Sequence, residues 1–253
     1  MISKELIRHN FSRFAGNYDD YCEAQNRVAA KLIKYCLGRD VRTIIDIGCG
    51  TGNYTAILRR CFPSAAITAV DISPRMLQAA SARLTDVSFL CEDAESVNFE
   101  DRCDLVTSNA SFQWFEDFEK AAANLVNAVN PGGMLLFSVF GCGTYSELGE
   151  VLSEYYGESL SLSSRSFVDS GRVSRFLSAS LNSVFVSHEL FCLKYDSLWE
   201  LLTSIKYTGT SGAGLADISL SREDIRAIEE IYIDKYGDIT ASFDVLYCGG
   251  EKK

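Results

Sequence analysis

The run Asp46-Ile47-Gly48-Cys49-Gly50-Thr51-Gly52 carries the first chemical signal in the chain. Glycines after an apolar strand permit a tight turn and let a ligand lie against bare backbone. A helix opening directly behind such a turn offers free N–H groups to an acidic or polar ligand. The spacing is G-x-G-x-G, which departs from the G-x-G-x-x-G of dinucleotide sites. Asp71 stands 19 residues beyond Gly52, where a carboxylate accepts hydrogen bonds from ribose hydroxyls. That feature suits a dinucleotide and other nucleoside ligands equally.

Other chemistries find less support. The 253 residues include nine cysteines, an odd count with no C-x-x-C pair, and only two histidines, His9 and His188. Reduced thiols in a cytoplasmic protein are expected, and no metal site. No Cys-His or Ser-His-Asp constellation stands out. The formal net charge of −10 argues against nucleic acid or an anionic membrane as the main partner. No apolar run reaches the ~18–20 residues that span a bilayer. Met1-Ile2-Ser3-Lys4-Glu5 lacks the apolar stretch of a signal peptide.

The elements that must position the glycine turn follow from periodicity. Residues 3 to 37 read as helix, with Ile7, Phe11, Phe14, Tyr18 and Tyr21 at spacings of four and three. Thr43–Ile47 reads as a buried strand, and a helix with Tyr54, Ile57, Leu58, Cys61 and Phe62 on one face ends at Pro63. Ile67–Asp71 is a strand. Ser73-Pro74 supplies a cap and first residue for a helix to about Leu84. Strands follow at Val87–Leu90 and Asp104–Ser108. A helix from Phe118 to Val129 stops at Asn130-Pro131-Gly132-Gly133, and Met134–Phe140 is an apolar strand.

Residues 141–181 are Ser-rich, with helical stretches near 145–156 and 169–180, and read as an insertion over the site. Val184–Tyr195 is a strand. Ser197-Leu198-Trp199-Glu200 has the form of a capping box opening a helix to Tyr207, and a glycine-rich loop spans Thr208 to Gly214. Ser221–Tyr236 is a helix and Ile239–Cys248 the last strand. Alternation of this kind predicts one doubly wound α/β domain, its ligand crevice at the carboxyl ends of parallel strands.

Asp46–Gly52 resembles motif I of the class I S-adenosylmethionine-dependent methyltransferases, D-x-G-C-G-T-G. Asp93-Ala94 follows the third strand and Ser108-Asn109-Ala110 ends the fourth, in the order that family uses. The resemblance covers roughly residues 40 to 140. It implies a mostly parallel seven-stranded sheet with the last strand antiparallel, and S-adenosylmethionine as cofactor. It also implies an N-terminal helical lid (1–38), a cofactor-binding core (40–140), inserted acceptor-side helices (141–181) and the end of the sheet (182–253). By resemblance, Gly48 and Gly50 contact the donor's methionine part and Asp71 holds its ribose, with Asp46, Cys49, Gly52, Ile72 and Met76 also in the cofactor-binding set. Asp93 with Ala94 meets the adenine edge. Asn109 and Ala110 line the methyl donor, and Trp114 and Tyr18 complete the cofactor-binding set.

Ser108-Asn109-Ala110-Ser111-Phe112-Gln113-Trp114 further resembles two carboxyl O-methyltransferase families, one acting on malonyl-acyl-carrier protein in biotin synthesis and one on trans-aconitate. Phe14-Ala15-x-x-Tyr18 with Gln25, the Ser204–Gly209 segment and the Thr240–Gly249 strand are similar to the first of these. Gly237-Asp238-Ile239-Thr240 departs from that family's Tyr-Pro entry to the last strand. The resemblance implies acceptor contacts from Tyr18, Gln25, Phe112 and Lys206. Arg165, Arg172 and Arg175 are candidate basic groups for a malonyl carrier, either acyl carrier protein or coenzyme A. Methylation of a free polyacid, or a catalytically silent binding scaffold, are the competing readings.

Overall fold

The computed structural model describes residues 3–99, 101–157, 170–208 and 220–253. The N-terminal segment is broken into α1 (Lys4–Phe14), α2 (Tyr18–Tyr21), α3 (Glu23–Leu32) and a 3-10 turn at Ile33–Tyr35. The single helix over 3–37 is thereby corrected. Helix α1 ends at Ala15, ahead of the poor helix former Gly16. Ser3 caps α1 by accepting from the Leu6 N–H.

Strands β1 (Thr43–Ile47), β2 (Ala66–Asp71), β3 (Ser88–Cys91), β4 (Cys103–Ser108), β5 (Val129–Phe140), β6 (Leu181–Tyr195) and β7 (Ile239–Lys252) form one sheet in the order β3-β2-β1-β4-β5-β7-β6. Every strand but β7 runs in the same sense, since β7 pairs antiparallel with both β5 and β6. The expected seven-stranded, mostly parallel sheet is therefore present. Two boundaries shift. Asn130-Pro131-Gly132-Gly133 belongs to β5 instead of ending a helix, with a register break opposite Cys103/Leu105. β6 begins at Leu181 and is interrupted between Asn182 and Phe185, where Ser183 takes φ +51°.

Helices α4 (Asn53–Cys61), α5 (Pro74–Ser81), α6 (Phe118–Asn127), α7 (Ser146–Tyr156), α8 (Ser170–Ser180), α9 (Leu198–Tyr207) and α10 (Arg222–Tyr236) flank the sheet. One apolar layer joins α3, α4, α7, α9 and α10 to one face; a second joins α6 and α8 to the other. Burial at 20–33 cal/mol per Å² of apolar surface makes these layers the main stabilising term. α7 packs on one face of the sheet and α8 on the other. The N-cap of α9 is also simpler than expected. Ser197 accepts from the Glu200 N–H, but the Glu200 carboxylate takes the Asp196 N–H. The reciprocal capping box forms instead at α10, between Ser221 and Asp224.

Candidate functional site

β1 and β4 are neighbours in the sheet, yet their following helices α4 and α6 pack on opposite faces. The chain leaving their carboxyl ends must part there, which opens a crevice. A cavity occupies it, where α/β sheets of this kind bind their ligands. The glycine turn forms one wall. Gly48 and Gly50 line the cavity, with φ of +66° and +56°. A Cβ on Gly48 would strike Ser111 Oγ at 2.1 Å, whereas one on Gly50 would meet nothing within 4 Å. The space beside Gly50 is cavity.

Three other residues of the turn stand behind that wall. Gly52 has φ +86°, and a Cβ there would crowd Ala80 and Leu84 at 3.1–3.4 Å. Its glycine serves backbone conformation and the packing of α4 on α5. Cys49 packs with Ala69 and Leu77, and burial raises its thiol well above the ordinary range. Asp46 is 1% exposed; one oxygen accepts from Thr55 Oγ1 at 2.6 Å and the other has no hydrogen-bond partner. Burial pushes its pKa to about 7. None of the three is on the cavity wall.

Asp71, Ile72 and Met76 form the next side of the cavity. Asp71 accepts the Gly50 N–H through Oδ2 and the Ser73 N–H through Oδ1, each at 2.8 Å. Burial raises its pKa to about 6 against the pull of those two bonds. Glu92, Asp93, Ala94 and Glu95 continue this acidic side. Asn109, Ala110, Ser111, Gln113, Trp114 and Phe115 close the wall from β4. Asn109 donates to the Gln25 carbonyl at 3.0 Å and accepts from Ser138 Oγ at 2.9 Å, so α3, β4 and β5 meet at one side chain. Ala110 holds φ +51°, an uncommon value outside glycine.

The N-terminal helices cover the opening. Lys4, Ile7, Phe11 and Tyr18 line it, and the Phe11 ring lies edge-on to Trp114 at 6.0 Å. Asp19 pins α2 to the glycine turn, accepting from Thr51, Asn53 and Arg83. Burial strongly raises the pKa of the Tyr18 hydroxyl, so it is a hydrogen-bond donor and not a base. Gln25 and Gln113 each present a buried Oε1 without a partner.

Four acceptor-side expectations fall elsewhere. Phe112 is core, stacked on Phe137 at 4.2 Å. Arg172 sits on α8 paired with Glu119, and Arg175 is exposed on the same helix; neither lines the cavity. Lys206 is exposed at the end of α9, over the Phe14 ring at 6.0 Å, although Thr208 two residues on does line the cavity. Arg165 and residues 209–214 lie outside the described residues.

Sequence reasoning missed Lys4, Glu92, Glu95, Ser111, Gln113, Phe115 and Thr208. Gln113 and Phe115 stand within or beside the quoted Ser108–Trp114 run, and their proximity was an available signal. Lys4 had none, because its partners are 89 and 91 positions away. Among the described residues no helix is long and apolar enough to cross a membrane, and no His/Cys/Asp/Glu cluster could hold a metal ion.

Residues 45–137 match the family model described as methyltransferase domain. Over its whole length the chain is 34% identical to malonyl-(acyl-carrier protein) O-methyltransferase 1 of Ilyobacter polytropus, covering 96% of that relative. The chain belongs to the malonyl-(acyl-carrier protein) O-methyltransferase family. A second member, from Bacillus cytotoxicus, is 31% identical over the full chain, with 93% of that relative covered. The fold matches the N-methyltransferase NodS of Bradyrhizobium japonicum, solved with S-adenosyl-L-homocysteine, at TM-score 0.55 and 16% identity, covering 97% and 98% of the two chains. Membership of this family makes the cavity at the β1/β4 switch point its active-site candidate.

Proposed function

We propose that this chain, a cytoplasmic enzyme, transfers the methyl group of S-adenosylmethionine to the free carboxylate of a malonyl thioester on acyl carrier protein or coenzyme A. In the family this is an early step of biotin synthesis. The observation that carries the reading is the open space beside Gly50, at the switch point of a chain belonging to this family. Gly48 and Gly50 bare the backbone for the donor's methionine part, Asp71 meets the ribose, and Asp93 with the Ala94 N–H meets the adenine. Ile72 and Met76 pack beside the nucleoside, while Asn109, Ala110 and Trp114 border the reacting end. Asp46, Cys49 and Gly52 support this wall from behind.

The lining suits a cationic ligand. Asp71, Glu92, Asp93 and Glu95 face the cavity, and Lys4 is the one lining cation among the described residues. Bound S-adenosylmethionine supplies an electrophilic methyl carbon on a positive sulfonium. A carboxylate acceptor has a pKa near ~4 and arrives ionised, so the protein needs no general base. The residues therefore act by placement. Trp114, Phe11 and Tyr18 keep water from the reacting end, which favours a displacement in which opposite charges disappear. Alignment of the reactants contributes several kcal/mol more. Tyr18 donates its hydroxyl toward the acceptor, and Gln25 offers a polar group on the same side. The N-terminal helices act as the lid that completes this dry site.

A parallel methyl-transfer assay with malonyl-acyl-carrier protein, malonyl-coenzyme A and trans-aconitate tests the reading. Turnover of a malonyl thioester is expected to exceed that of trans-aconitate. A preference for the free polyacid, or no transfer to any of the three despite donor binding, would overturn it.

A further inference from the structure

Two cations gather over one aromatic ring beside the cavity. The Arg13 guanidinium carbon lies 5.3 Å from the Phe14 ring centroid and Lys206 Nζ lies 6.0 Å from the same centroid. Arg13 ends α1 and Lys206 ends α9, elements far apart in sequence. Phe14 is buried and packs edge-on to Tyr207 at 5.3 Å, and Tyr207 stacks on Tyr21 at 4.8 Å. Both charged heads lie against this aromatic floor, and both residues are exposed to solvent. Asp20, on the intervening helix α2, pairs with neither among the described residues, and Asp19 is taken by Arg83.

The position matters. Phe11 and Tyr18, one turn to either side of Phe14, line the cavity, and so does Thr208, next to Tyr207. Arg13 and Lys206 thus stand beside lining residues, away from Asp71 and Glu92–Glu95, without lining the cavity themselves. On a chain of net charge −10, exposed cations are where an arriving anionic group meets local attraction. Each cation also sits at a helix C-terminus, which alone would stabilise it. Dipole compensation does not require both to converge on one ring.

We propose that Arg13 and Lys206 receive a phosphate ester at the mouth of the cavity, on the flexible pantetheine arm that delivers the acyl group. A planar guanidinium and an ammonium together offer a phosphate more donors than either alone. The site binds the arm, not the carrier's surface, so it serves acyl carrier protein and coenzyme A alike. The choice of arm rests on the malonyl-thioester reading above.

Calorimetric titration with 4′-phosphopantetheine and with pantetheine, both with S-adenosylhomocysteine bound, tests the site without any turnover. Wild-type protein is expected to bind the phosphorylated arm at least about tenfold more tightly. Arg13→Ala and Lys206→Ala should each lose most of that preference, with circular dichroism verifying that both remain folded. Equal affinity for the two arms in wild type would overturn the proposal, as would a preference that survives in both variants. Malonyl transfer is scored separately, so a chain that prefers the phosphorylated arm yet methylates another acceptor would refute the acceptor reading and leave this site standing.

Discussion

Lys4 Nζ, in the first turn of α1, lies 2.5 Å from Asp93 Oδ2 and 3.1 Å from Glu95 Oε1. Burial works against its charge, yet the hydrogen bonds it donates to the two carboxylates hold its pKa above the ordinary lysine value. The pair ties the helix covering the cavity to the turn after β3. Half-exposed pairs of this kind contribute about 0.5–1 kcal/mol. Lys4→Met is expected to accelerate donor release roughly two- to fivefold in stopped-flow measurements, with a smaller effect at high salt. Unchanged release rates would mean that Phe11 on Trp114 and the Ser12–Ser73 hydrogen bond suffice to hold α1.

Gly50 borders open space whereas Gly52 is packed against α5, so the two should respond differently to substitution. Gly50→Val places a branched side chain in the cavity and forces an unfavourable φ costing about 1–3 kcal/mol. Calorimetry should find donor binding lost from a protein that still folds. Gly52→Val meets Ala80 and Leu84 instead, so thermal melts should register a larger loss of stability. A Gly50→Val protein that binds the donor normally would move the site away from this turn.

Asp71, as the proposed ribose partner, should make donor affinity depend on pH. Its pKa is about 6 in the folded protein, above the ordinary carboxylate value, so the charged acceptor is present above that pH and is lost as pH falls through it. Donor affinity should weaken by up to about tenfold per unit below pH 6, and Asp71→Asn should flatten the profile. Asp71→Ala should cost ~1–3 kcal/mol at pH 8. A wild-type profile that stays flat from pH 8 to pH 5 would remove Asp71 from donor binding.

Asp46 affects stability with the opposite consequence of charge. Its folded pKa of about 7 exceeds that of an unfolded aspartate, so the folded state binds the extra proton between roughly pH 4 and pH 7 and stability falls as pH rises through that window. Asp46→Asn should stabilise the ligand-free protein at pH 8, on the order of 4 kcal/mol at most, and much less at pH 4. Denaturant melts at the two pH values decide it; an equal effect at both would trace to packing and not to the proton.

Tyr18 reaches the cavity as a hydrogen-bond donor. Tyr18→Phe keeps the ring and deletes the hydroxyl, and should slow methyl transfer by at least about tenfold, or about 1.4 kcal/mol in the barrier. Donor affinity should change less. Full activity in that variant would leave the ring as a cover and nothing more.

Local backbone chemistry made the site's floor legible from sequence alone. The Asp46–Gly52 turn, Asp71 at the end of β2 and the Ser108–Trp114 run carry their meaning in residue types a few positions apart, because turns and strand ends are short-range structures. The sheet was legible for the same reason, each strand being an apolar run between turn residues. What faces the cavity within those runs was decided by tertiary packing. Phe112 and Trp114 share one 3-10 turn, yet Phe112 stacks into the core on Phe137 while Trp114 meets Phe11 at the cavity. Gly50 and Gly52 look alike in sequence, but only the first has open space where a Cβ would stand. Lys4 meets Asp93, and Arg13 and Lys206 both reach the Phe14 ring, only when α1 folds over the cavity. Sequence periodicity carries no information about which distant charge or ring a side chain will reach, and that pairing is set by the packing of whole elements.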